Sequence, residues 1–474
     1  MKSKKKLVLR VYGLPSHCNL ADLKTFFQNY GPVKHLLVAK GRTSAALEFV
    51  KPEHAQRFLN FKTIRFGEDV LEIHESDYEF TVSKRYILRK LIEEFGKEGK
   101  PLVFEEEVQL IREKVGLKPE AVRERLDFVQ RLNNYIQQFF TEEVEVKPFG
   151  STLTGFGLMD ADLDLTFITD PNVPFQPTDV SGLDLKAMDL DELKSRKLRT
   201  LEWRCIQTNV RVEFLARLLK QYEAESGEVS DVNFITSVRV PLLTFMHHHV
   251  ACDLSITNVL GVKKAELLQL TTQDYPELTN LLYFFRLWAR CAGLFKSNEH
   301  PTGVFSSYAF SLIFLCYCQY AKVLGPLDGN DIVNGVADGT KLTFIGGNPG
   351  NIKDFVIGFF EFCLEVYKTP NVLCPNNATI VPLDQFQTPA SFYSHGFKVS
   401  QVSNLQDPIE ITHNVTQSLN KEFLDKFLDR ARDAVEALRN LEGDFGLAKE
   451  LLNCLARRSS RVVSPELEKM CIDG

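Results

Sequence analysis

Asp162 and Asp164 are separated by one leucine in "FGSTLTGFGLMDADLDLTFIT", residues 149 to 169, a segment that begins with a Gly-Ser turn. Read as a strand, it sends Leu163 and Leu165 to one face and both carboxylates to the other. Two like charges held side by side repel, and divalent cations relieve the repulsion. Mg2+, with Mn2+ as its substitute, suits such a pair because it takes oxygen ligands, keeps waters and bridges to substrate phosphates. Two ions about 3.5–4 Å apart stabilise the attacking and leaving oxygens of an in-line phosphoryl displacement. A third carboxylate is then needed, and Asp253 in "ACDLSITN" is the candidate, in a β-like apolar run that follows another strand, "RVPLLTF". Gly150 lets the backbone approach a phosphate closely, and Ser151 adds a hydroxyl.

Neighbouring acidic and histidine groups read differently. Asp160 precedes the apolar alternation and is expected in a loop. "DLDEL" at 189 to 193 repeats Asp-x-Asp without an upstream Gly-Ser and reads as the charged start of a helix. His247, His248 and His249 bring metal-binding side chains together, but three consecutive residues cannot all face one ion from a strand, so a loop is expected there.

The 474 residues, 44% hydrophobic, give room for two to four domains with real cores. Ten scattered cysteines without a C-x-x-C pair point to reduced, buried thiols. At a net charge of −6, nucleic-acid contact has to use local basic patches such as "KSKKK" at 2 to 6, "KSRKLR" at 194 to 199 or "RRSSR" at 457 to 461, each of which alone reads as a solvated charge run. No run of about twenty apolar residues and no apolar secretory stretch is visible, so an intracellular protein without a membrane partner is expected.

Elements are needed to position these groups. From 7 to 78 the chain alternates as β-α-β-β-α-β, which implies a four-stranded sheet backed by two helices. This stretch resembles an RNA-recognition motif, with Arg10, Ser44 and Ala46 where such domains carry base-stacking aromatics. Atypical base readout, phosphate contacts or a protein-binding role is therefore expected of it. Amphipathic helical segments fill 79 to 140, and mostly helical sequence runs from 262 to the end.

The Gly-Ser turn, Asp162-x-Asp164 and a distant strand aspartate resemble the DNA-polymerase-β-like nucleotidyltransferase superfamily. "LTNLLYFFRLWARCAGLF" and "GVFSSYAFSLIFLCYC" are similar to the helical domain of non-canonical poly(A) polymerases and terminal uridylyltransferases, with arginine at two positions where relatives carry lysine. The resemblance implies an α+β multidomain fold: an N-terminal ferredoxin-like RNA-recognition motif (1–78), a helical connector (79–135), a nucleotidyltransferase palm with a mixed sheet (136–265), a mainly helical fingers or PAP-associated domain (266–435) and a C-terminal helical tail (436–474). It also implies that Gly150, Ser151, Arg286, Arg290 and Ser307 hold a triphosphate, Tyr308 stacks on the base and Asn258 contacts base or ribose.

"LQDPIEITHNVTQS", 405 to 418, resembles the nucleotide-recognition motif of uridylyltransferases, with His413 at the uracil edge and Asp407 and Glu410 orienting it. Lys264 and Ala265 stand where relatives carry Asn-Thr or Asn-Ser. An RNA-recognition motif ahead of this core is the arrangement of terminal uridylyltransferases that act on U6 small nuclear RNA. The expected reaction is addition of UMP from UTP to an RNA 3′ end, U6 small nuclear RNA first among substrates, by a nuclear, monomeric enzyme. The alternatives are an ATP-using poly(A) polymerase and a non-catalytic RNA-binding scaffold.

Overall fold

A computed structural model of the chain describes residues 8–15, 20–38, 44–76, 84–170, 173–174, 176–235, 241–248, 250–272, 275–296, 302–327, 350–387 and 396–462. The basic run at 2 to 6, His249 and residues 463–474 of the expected tail lie outside them.

The N-terminal pattern folds as β1 (Val8–Tyr12), α1 (Leu20–Gln28), β2 (Val33–Val38), β3 (Ser44–Phe49), α2 (Pro52–Leu59), β4 (Thr63–Phe66) and β5 (Asp69–Ser76). Its sheet runs β2-β3-β1-β5-β4, five strands where the sequence pattern predicted four. The extra strand, β4, is only four residues long and folds back on β5 through a turn in which Gly67 takes φ +64°. So short a strand shows no readable alternation of its own. Leu9 and Val11 enter a core with Phe27, Leu47 and Phe58, which turns Arg10 and Tyr12 to the opposite face. That face is covered. Arg10 is 7% exposed, and its Nη2 lies 2.9 Å from Oδ2 of Asp231, far along the chain.

Three helices follow, α3 (Lys84–Lys97), α4 (Phe104–Val115) and α5 (Pro119–Gln137). Pro119 sits at the start of α5, where its missing N–H costs nothing. The α5 stripe of Phe128, Val129, Leu132 and Ile136 packs into the core beneath the central sheet.

That sheet is built from β6 (Val144–Phe149), β7 (Leu163–Thr169), β8 (Val229–Ile235), β9 (Leu242–His247) and β10 (Val250–Ile256), in the order β6-β7-β10-β9-β8. It is mixed: β7 and β10 are parallel and the other pairs antiparallel. A short helix, α6 (Ser151–Thr154), follows β6, and α7 (Leu190–Arg196), α8 (Thr200–Cys205) and α9 (Thr208–Ser226) lie between β7 and β8. Asp189 caps α7 by accepting from the backbone N–H groups of Asp191 and Glu192 at 2.9 and 3.3 Å, the role expected for "DLDEL". Trp203 and Phe214 pack with Phe167 in the same core as α5.

The rest is mainly helical: α10 (Val259–Thr272), α11 (Pro276–Cys291), α12 (Ser307–Tyr320) and α13 (Ile352–Val366) precede a small sheet of β11 (Asn371–Cys374), β12 (Thr379–Pro382) and β13 (Asn404–Leu405), and α14 (Lys421–Arg439) and α15 (Leu447–Val462) close it. Helix α12 is buried on every side from Ala309 to Gln319, as its almost unbroken apolar sequence requires. Helices α3 and α4 join this core. Glu107 of α4, 1% exposed, accepts from the backbone N–H groups of Ala448 and Lys449 at 2.8 and 2.9 Å and so caps α15 from a distant helix. Among the described residues, no helix is long and apolar enough to cross a membrane.

Candidate active site

Asp164 and Asp253 are register partners on the parallel strands β7 and β10, with Leu163 opposite Cys252 and Leu165 opposite Leu254. The four apolar partners are buried, and both aspartates lie half-buried on the other face. Adjacent strands are about 4.8 Å apart, so the two carboxylates are neighbours across the ladder. Asp162 stands one residue before β7, also half-buried. On the other side of Asp164 lies Phe149 of β6, and Gly150 follows with φ +71°. A Cβ at 150 would come within 2.4 Å of Asp164 Oδ2, so the turn needs glycine both for its backbone conformation and for its closeness to the carboxylate. The structure thus brings Asp164 and Asp253 together beside the Gly150 turn, and oxygen donors of this chemistry are the kind that Mg2+ or Mn2+ takes.

Arg125 on α5 braces this corner. Its Nη1 donates to Thr152 Oγ1 at 2.9 Å and its Nη2 to the carbonyl of Ala161 at 2.7 Å, which ties the Ser151 turn to the loop carrying Asp162. Burial pushes its pKa down. Sequence reasoning missed Arg125. The signal was an arginine on the apolar stripe of a helix, three residues before Phe128 and four before Val129.

Asn258 receives a fixed position from both ends. Its N–H donates to Thr166 Oγ1 at 2.9 Å, and its Oδ1 accepts from Gly261 N–H at 3.0 Å, capping α10.

The two arginines of α11 are held differently. Arg286 donates to Ser311 Oγ at 3.1 Å and lies 5.3 Å from the ring centre of Phe156, in the loop after Ser151; burial pushes its pKa down to about 10. Arg290 forms an ion pair with Asp160, whose side chain is 6% exposed. The expected loop residue Asp160 is therefore the link between the palm loop and α11, and the two members of the Arg286/Arg290 pair have separate partners. Likewise, Arg196 and Arg199 of the "KSRKLR" patch both reach Glu202, at 2.8 and 3.4 Å.

Ser306 caps α12 by accepting from Ala309 N–H at 3.0 Å, which leaves Ser307 exposed in its first turn. Tyr308, next along, directs its hydroxyl toward Asp407 Oδ1 at 3.5 Å; burial and then the Asp407 charge raise its pKa well above the usual phenol value. Asp407 is fully buried. Its Oδ1 accepts from the N–H groups of Ile409 and Glu410, at 2.9 and 3.1 Å, and its Oδ2 lies 2.6 Å from Lys264 Nζ. Lys264 also approaches Glu410 Oε2 at 3.7 Å and the Tyr308 ring at 5.4 Å. His413 is tied in through the backbone: its carbonyl accepts from Asp407 N–H at 3.0 Å, and its N–H donates to the Glu410 carbonyl at 2.7 Å. Lys264 is thus the cation that faces the carboxylates of the 405–418 segment.

Residues 104–273 match the family described as poly(A) RNA polymerase, mitochondrial-like, central palm domain, and residues 9–72 match RNA recognition motif. Over 97% of its length the chain is 23% identical to the speckle targeted PIP5K1A-regulated poly(A) polymerase of Danio rerio, of which it spans 63%. It is 21% identical to terminal uridylyltransferase 4 of Homo sapiens over 61% of this chain and 16% of that one. The crystal structure of mtPAP in complex with ATPgammaS shares the fold with a TM-score of 0.57, at 17% identity, covering 94% of this chain and 96% of that one. The chain therefore joins an RNA-recognition motif to a nucleotidyltransferase palm of the mitochondrial poly(A) RNA polymerase-like kind, and its relatives are non-canonical poly(A) polymerases and terminal uridylyltransferases.

Proposed function

We propose that this protein adds UMP from UTP to RNA 3′ ends. The observation that carries the reaction is the register pairing of Asp164 with Asp253 beside Gly150. Asp162, Asp164 and Asp253 would hold Mg2+, or Mn2+ in its place. When bound, the ions supply charge stabilisation for the attacking and leaving oxygens. The RNA 3′-oxygen attacks the α-phosphorus, the bond to the bridging oxygen breaks and pyrophosphate leaves. Asp253, on the central strand, takes up the proton of the 3′-hydroxyl.

Gly150 and Ser151 approach the triphosphate from the palm, and Arg286, Arg290 and Ser307 from the helical side, with Arg290 shared between substrate and Asp160. Tyr308 supplies the stacking face, and Asn258 contacts base or ribose. The UTP choice rests on the His413 turn, which the backbone holds against Asp407 and Glu410. U6 small nuclear RNA is the proposed substrate, from the order of the two domains, and the nucleus the proposed location, from the speckle-targeted relative. We propose a monomer acting without a membrane partner.

The test is extension of a labelled RNA primer with UTP and ATP in competition, before and after His413→Leu. Preferential uridine addition that is lost in the variant supports the reading. Preferential adenosine addition would move the chain to the poly(A) polymerases, and RNA binding with no incorporation in Mg2+ or Mn2+ would make it a scaffold.

A further inference from the structure

The histidine run, expected in a loop, is divided between a strand end and a turn. His247 ends β9, His248 enters the turn to β10 with φ +49°, and the break in alternation brings the two rings together, centres 4.4 Å apart. Glu124 of α5 faces them. One donor atom from each of Glu124, His247 and His248 lies within 4.8 Å of the other two, the group of this kind found among the described residues.

His247 has the orientation of a ligand. It is 2% exposed, and its ring stacks on Phe128 at 3.8 Å with 12° between planes. Nδ1 lies 2.9 Å from the Glu228 carbonyl, which can only accept, so Nδ1 carries the hydrogen. Nε2 is left with its lone pair, buried and without a hydrogen-bond partner. An imidazole fixed through Nδ1–H to a backbone carbonyl and open at Nε2 is how proteins orient metal-binding histidines. Leaving such an atom bare costs stability, and a bond to an ion removes that cost.

We infer that Glu124, His247 and His248 form a site for a transition-metal ion of the zinc class, separate from the aspartates. Two imidazoles and a carboxylate favour Zn2+ over Mg2+, with water completing a tetrahedron. Bonds of about 2.0–2.1 Å would set donors roughly 3.4 Å apart, against the 4.8 Å within which they lie, and Glu124 and His248 are the exposed members that would turn inward. His247 pairs in register with Val250, three residues before Asp253, and alternation puts it on the core face, opposite the aspartates. The site joins α5 to the β9–β10 turn. Glu124 is the neighbour of Arg125, so an ion here fastens the helix that braces the Ser151 and Asp162 loops.

The experiment uses the tag-free full chain, stripped by chelator and titrated with Zn2+, and separately with Co2+ read by its visible absorption, in excess Mg2+. Wild type and Asp253→Asn should bind one equivalent with a rise in Tm, and Glu124→Gln and His248→Ala, both surface changes, should lose about tenfold or more in affinity together with that rise. Unchanged Zn2+ affinity in both surface variants overturns the inference, and so does loss of binding in Asp253→Asn, which would assign the ion to the aspartates.

Discussion

Lys264 Nζ lies 2.6 Å from Asp407 Oδ2, so an ammonium on the first helix after the palm sheet neutralises a fully buried carboxylate in the 405–418 segment. With Lys264→Met, Asp407 keeps two backbone donors and loses its cation. Breaking a fully buried pair costs about 3–5 kcal/mol, and the 20% exposure of Lys264 reduces this to roughly 2 kcal/mol. Urea unfolding should show that loss, and Asp407→Asn in the same chain should recover part of it, a coupling of about 1 kcal/mol. Strictly additive variants would remove the pair from the account.

Asp164→Asn and Asp253→Asn should each lower nucleotide addition by about a hundredfold to a thousandfold or more. Neither should unfold the chain. Without divalent cations both variants should be at least as stable as wild type, because each removes half of a like-charge pair on adjacent strands. Thermal melts in chelator beside primer extension in Mg2+ check both halves, and a variant that melts well below wild type would mean the carboxylate is structural.

Strand parity made part of this site legible in sequence. Asp162-x-Asp164 lies beside Leu163 and Leu165, and Asp253 between Cys252 and Leu254, apolar residues that bury one face, and the register of β7 with β10 follows once both are strands of one parallel pair. The N-terminal order of elements was readable for the same reason, apart from the four-residue β4. What sequence did not disclose are pairings set by tertiary packing: Arg290 with Asp160 across 130 residues, Arg125 with Thr152, and Lys264 with Asp407. The histidine run was expected in a loop; His248 is in a turn, but His247 closes β9, and the positive φ that brings the two rings together has no signal in the sequence.

Glu107 gives the fold a dependence on pH. Burial raises its pKa from 4.5 to about 7 against two backbone N–H bonds that lower it. Between pH 4.5 and about 7 the folded chain holds the proton that the unfolded chain releases, so this contribution is fully present below 4.5 and is lost as pH rises through 7. At about 1.4 kcal/mol per unit the total is roughly 3 kcal/mol. Glu107→Gln does not titrate and keeps one acceptor oxygen, enough for one of the two N–H groups of Ala448 and Lys449. The stability of wild type relative to the variant should therefore fall between pH 5 and pH 8, read as the difference in melting temperature, and a constant or growing difference would reverse the sign.

The pair between Arg10 and Asp231 fixes which face of the RNA-recognition sheet can meet RNA. Both side chains are under a tenth exposed, and burial also raises the pKa of Tyr12 beside them. Bases cannot stack at 10 or 12 while β1 lies against the palm. Arg10→Ala leaves Asp231 without this buried cation, at a cost of about 3–5 kcal/mol to the contact, and the charge swap Arg10→Asp with Asp231→Arg should restore part of it. Amide exchange along β1 and β8 should rise in the single variant and fall back in the swap. Photocrosslinking of RNA to position 12 should be absent in wild type and gained in Arg10→Ala. Crosslinks at that position in wild type would show that the sheet meets RNA as other RNA-recognition motifs do.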